Sequence, residues 1–123
     1  MDYIVKMRGV IVGRSTLDEA DSGARVASGE FRPGVGYELV QPIFRLWSEA
    51  MPRDPAGPRD GARLARFEAA RARLGLELFD ARGDAYAVRS IHMSDRTEED
   101  GPDALELSVV TDDPRFWNDR RER

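Results

Sequence analysis

The sequence predicts an α+β fold, an antiparallel sheet of about five strands with two helices on one face in the order ββααβββ. Three observations point to it. Residues 36–51 repeat apolar side chains at helical spacing, residues 61–74 do so again, and the flanking segments alternate or are rich in β-branched residues. With 123 residues the chain has the size of one domain with its own core, so 1–123 is read as a single α+β domain.

The first strand is expected over Tyr3 to Arg14, where Gly9 and Gly13 suit a bend or bulge. Ser15 to Gly23 is polar and acidic and reads as a loop. Arg25 to Arg32 follows as a second strand in a hairpin with the first, and Pro33-Gly34-Val35-Gly36 breaks it. The helix from Gly36 to Met51 is the strongest signal in the chain. Tyr37, Val40, Phe44, Trp47 and Met51 form one stripe, and Leu39, Ile43, Leu46 and Ala50 form a second beside it. Such a rod should be wrapped by protein over more than half its circumference. Pro42 falls on the polar arc with Glu38, Gln41, Arg45, Ser48 and Glu49, where a bend convex toward solvent tolerates the lost backbone hydrogen bond.

Met51 to Asp60 holds three prolines and a glycine and reads as a stiff surface connection. Asp60 is placed to cap a second helix, Gly61 to Leu74, in which Leu64, Phe67, Ala70 and Leu74 share a side and after which Gly75 stops the helix. Leu76 to Asp80 and Ala85 to Ser94 read as strands joined by a tight turn with Gly83 placed for positive φ. Arg96 to Asp103 is an acidic loop, and Ala104 to Thr111 alternates as a half-buried strand. Phe116 and Trp117 should pin a polar C-terminus to the body.

Composition excludes more functions than it suggests. The absence of cysteine removes disulfide scaffolds, thiol catalysis and cysteine-ligated metals. A net charge of −4 repels the phosphate backbone, so no nucleic acid is expected as partner. The apolar runs are too short for a bilayer and the N-terminus lacks a signal-like segment, so no membrane is expected and the compartment reads as cytoplasmic. Of 19 basic residues only Lys6 is not arginine, a skew that reads as a GC-rich, bacterial source.

Each motif has an ordinary explanation. Gly29, Gly34 and Gly36 precede a helix but match neither G-x-G-x-x-G nor the P-loop, and they read as a strand-to-helix turn. His92 is the only histidine and has no nucleophile frame around it, which argues against catalysis. Asp95 to Glu106 has glycine at the seventh position where a calcium loop needs it at the sixth. Arg82-Gly83-Asp84 is a turn. Arg59, Arg63, Arg66 and Arg73 share one arc of the second helix and read as solvated charge.

The leading expectation is a non-catalytic bacterial interaction domain of the immunity or accessory kind, with no cofactor and no metal. It would bind a protein partner with a basic surface through Asp18, Glu19, Asp21, Glu98, Glu99 and Asp100. The alternative is a small-molecule-binding domain or enzyme with an apolar pocket between the sheet and helix 36–51, formed by Arg32, Tyr37, Phe44, Trp47 and His92. A homo-dimer is a third expectation, because the apolar arc of that helix is wider than one sheet face needs.

Overall fold

The computed structural model describes residues 2–52, 54 and 56–121, so Arg53 and Pro55 of the expected connection, and the last two residues, lie outside it. The described residues form two antiparallel sheets and four helices, an α+β fold. The five-stranded sheet runs in the order β5 (Arg32–Pro33), β2 (Val10–Ser15), β1 (Tyr3–Met7), β6 (Leu76–Phe79) and β7 (Ala85–Tyr86). A second sheet joins β3 (Glu19–Asp21), β4 (Val26–Glu30), β9 (Leu105–Val110) and β8 (Ser90–Asp95). The helices are α1 (Tyr37–Ala50), α2 (Gly61–Ala72), α3 (Thr97–Asp100) and α4 (Pro114–Arg121).

The extra strands arise where predicted segments divide. Tyr3 to Arg14 is a hairpin: Arg8 and Gly9 take φ of 49° and 84°, a two-residue turn whose twist matches that of paired strands. The anticipated bulge is also present. Val5 faces Gly13 and Lys6 faces Ile11, which leaves Val12 as the extra residue. Gly13 is required by space, since a Cβ there would run into the Phe31 ring and the Arg32 carbonyl. The segment from Ala85 to Ser94 also breaks. β7 pairs with β6 and β8 with β9, and between them the Ala87 N–H donates to Asp113 (2.9 Å) and the Arg89 N–H to the Val110 carbonyl (2.7 Å).

Two segments read as irregular carry structure. The polar stretch after Arg14 contributes β3, and the C-terminal residues form α4, which Phe116 and Trp117 pin to the body as expected. Phe116 of α4 is fully buried between Tyr3 and Tyr86, with ring centroids 5.2 and 5.3 Å away. The indole N–H of Trp117 donates to the Thr111 carbonyl at 3.0 Å.

α1 takes the predicted span and runs through Pro42, which is exposed as its place on the polar arc requires. Tyr37, Val40 and Phe44 are buried in a cluster that joins both sheets. The second stripe is less enclosed than expected: Leu39 is 61% exposed, and Ile43 and Leu46 are half-buried. The reason is geometric. α1 packs on α2 and β8 and touches β2, and these neighbours take up the first stripe. α2 starts as predicted, with the Asp60 carboxylate accepting from the Arg63 N–H at 3.1 Å, and Gly75 follows it at φ 62°.

Register gives the four-stranded sheet two distinct faces. Ala27, Val109 and Ile91 align across the inner face, as do Leu107 and Met93, and all five are buried. The outer face reads as three rows: Asp21–Val26–Val110–Ser90, Glu19–Ser28–Ser108–His92, and Glu30–Glu106–Ser94.

Candidate functional site

That outer face has a closed end and an open end. At the β8 end, His92 lies under the helices, with its ring centroid 4.5 Å from Trp47, 5.8 Å from Phe44 and 5.7 Å from Phe67, each edge-to-face. Among the described residues its buried Nε2 has no hydrogen-bond partner, and neither has Ser48 Oγ. Burial and the nearby Arg71 charge lower the imidazole pKa to about 4, against a weaker opposing pull from Glu68. His92 is therefore a neutral, packed ring at pH 7.

Polar contacts fasten α1 to the end of β8. Asp95 Oδ2 accepts from the Tyr37 hydroxyl at 2.6 Å and from Gln41 Nε2 at 3.1 Å, while Thr97 donates to Oδ1 through its hydroxyl (2.7 Å) and its N–H (3.0 Å). Burial pushes the Asp95 carboxyl up, but these hydrogen bonds outweigh it and hold the group below the usual carboxylate range. Burial and the same Asp95 contact raise the Tyr37 phenol, so near neutrality the phenol keeps its proton and donates a hydrogen bond to an ionised carboxylate. Arg45 continues the network, donating to the Asp95 carbonyl (2.7 Å), to both oxygens of Glu99 (3.0 and 2.6 Å) and to Glu98 (3.1 Å).

The expected pocket residues lie in three different settings. Phe44 and Trp47 each pack against His92, and Phe44 has no exposed surface. Tyr37 is committed to Asp95, and Arg32 pairs with Asp2 at 2.7 Å. The glycine run ahead of α1 is a close-approach turn. The Gly34 and Gly36 N–H groups donate to the Val12 (2.8 Å) and Ile11 (2.9 Å) carbonyls, and a Cβ on Gly36 would lie 2.7 Å from the Ile11 carbonyl. Arg82-Gly83-Asp84 closes over buried Asp80, whose Oδ1 accepts from the Arg82 and Asp84 N–H groups, both at 2.9 Å.

At the β3 end the same face is acidic and uncovered. Glu19 and Asp21 lie there on β3 and Asp18 shares a cleft with Glu30, while Glu30 and Glu106, two residues that the sequence does not single out, form the next row beyond Glu19–Ser28. Glu30 stands directly opposite Glu106 in the β4–β9 ladder, and both are exposed. Two shallow clefts follow this end, about 300 Å³ among Thr16, Asp18, Glu30 and Arg32 and about 260 Å³ along Glu19, Ala20, Asp21, Val26 and Ser28, and a third of about 260 Å³ runs from Glu30 and Glu106 across to Ser94 of β8 with Arg96, Asp100 and Asp103. Asp100 therefore belongs to this surface, whereas Glu98 and Glu99 turn to Arg45. A further cleft of about 270 Å³ includes Arg71, Arg89 and Ser90, with its guanidiniums paired to Glu68 (2.8 Å) and Asp112 (2.6 Å).

Among the described residues no group of His, Asp and Glu has a metal-binding arrangement, and no helix is long and apolar enough to cross a membrane. Comparison of the chain with protein families, curated proteins and solved structures gave no match.

Proposed function

We propose that the chain is a non-catalytic bacterial interaction domain, of the immunity or accessory kind, that binds a basic protein partner through the acidic end of its four-stranded sheet. The observation that carries this reading is the Glu30–Glu106 pair. Directly opposed like charges destabilise a sheet, by roughly 0.2–1 kcal/mol in the usual range of cross-strand effects. The fold has no need of them, because the neighbouring positions of the same two strands are the neutral pairs Ser28–Ser108 and Val26–Val110. Cations from a partner would convert that repulsion into attraction, and the surrounding carboxylates would steer its approach. Among the buried polar groups, His92 is enclosed by aromatic rings, Asp95 holds α1, and Asp80 pairs with Arg115 at 2.8 Å.

The homo-dimer reading has separate support at the start of α1. Val35 and Leu39 are 88% and 61% exposed there, and Val10 packs beside Gly36. Sedimentation at several concentrations tests it.

The partner reading is tested by titrating the isotope-labelled protein with an oligolysine peptide and following amide chemical shifts. Shifts should concentrate on β3, β4 and β9, shrink as salt rises, and disappear in Glu30→Lys. Shifts spread evenly over the surface, or unchanged by that reversal, would contradict it.

A further inference from the structure

The shape of the partner can be inferred as well, resting on the reading just given. β3 is an edge of the four-stranded sheet: among the described residues it pairs with β4 alone, and Glu19, Ala20 and Asp21 are all exposed. A free edge presents unpaired backbone N–H and C=O groups to any chain that can lie alongside. Edges are usually blunted by proline, by a bulge or by a covering element. β3 has no proline, and its register with β4 is unbroken: Glu19 faces Ser28, Ala20 faces Ala27 and Asp21 faces Val26. What guards this edge is charge of one sign.

The placement of that charge selects among occupants. Glu19 and Asp21 are two residues apart and so share the outer face, about 6.8 Å from each other along the strand. Two copies pairing edge to edge in antiparallel fashion about Ala20 would set Glu19 against Asp21 twice, like charge against like charge. A second copy is therefore disfavoured. A strand with cations at every second position would instead meet a carboxylate at each.

We propose that β3 accepts an extended basic segment of the partner as a fifth strand. Its backbone pairs with the β3 edge, and a basic residue–x–basic residue pattern sets its cations against Glu19 and Asp21.

The test compares peptides of alternating lysine and threonine, one unmodified and two carrying N-methyl groups on every second amide in the two opposite phases. Methylation keeps the charge and removes the ladder donors. The unmodified peptide should bind, slow hydrogen exchange in β3, and lose binding to Glu19→Lys/Asp21→Lys, while one methylated phase should bind at least about tenfold more weakly. Equal binding of all three would overturn strand addition and leave the acidic-face reading standing. Failure of every peptide to bind would overturn both. Self-association of the unmodified protein that disappears in Ala20→Pro would place a second copy on the edge and overturn the proposal.

Discussion

The closed and open ends of one sheet face are built on opposite principles. The row Glu19–Ser28–Ser108–His92 begins in solvent among carboxylates and ends beneath Trp47, Phe44 and Phe67. Where helices cover the sheet, the buried side chains are mainly apolar, and among the described residues the buried side-chain polar atoms without a hydrogen-bond partner are His92 Nε2 and Ser48 Oγ. Where nothing covers it, like charges stand opposed. Stability resides at the closed end, where single contacts are worth kilocalories, and this leaves the open end free to hold an arrangement that disfavours the fold only slightly.

That contrast can be broken most directly at Phe44. Its ring is fully buried and packs edge-on to Phe67 at 5.8 Å, so Phe44→Ala should lower unfolding free energy by about 3–5 kcal/mol in denaturant titration. Glu106→Ala at the open end should change it by no more than about 0.5 kcal/mol. Similar losses at both sites would erase the distinction. Tyr37→Phe comes next, because it removes the 2.6 Å hydrogen bond to buried, ionised Asp95 and should cost about 2 kcal/mol. A change near zero would mean that the network does not hold α1 in place.

His92 sharpens the contrast through pH. Its folded pKa of about 4 lies below the ordinary value of 6.5, so the unfolded chain takes up the proton first. The stability it contributes is complete above about pH 6.5 and is lost as pH falls toward 4, on the order of 2 kcal/mol. Denaturant melts across this window should show the loss, and His92→Phe should remove that component. An unchanged acid profile in the variant would show the imidazole to be solvated. The smallest effect belongs to Glu106→Gln, expected to raise stability by about 0.5 kcal/mol at low salt and by less at high salt. Lowered stability would mean that the carboxylate serves the fold.

The two ends were not equally legible in the sequence. The α1 stripe of Tyr37, Val40 and Phe44, the Asp60 cap and the Gly83 turn each follow from local spacing, and each appears where predicted. Arg8-Gly9 reads as part of a strand because arginine is a weak signal for a turn that usually begins with asparagine or aspartate. β3 is only three residues long, too short for alternation to register. Glu30 and Glu106 stood out in neither of their strands, because their meeting depends on the β4–β9 register, which joins segments far apart in the chain. The same holds for Asp95 with Tyr37 and for Arg45 with Glu98 and Glu99. Once Arg45 had its partners, the acidic triplet of α3 was divided between the two ends.

The decisive measurement takes one variant, Glu30→Gln/Glu106→Gln, and determines its unfolding free energy and its affinity for oligolysine on the same preparation. The expected result is equal or higher stability together with binding weakened at least about tenfold. Lower stability with unchanged binding would contradict the division of labour between the two ends and return these carboxylates to the fold.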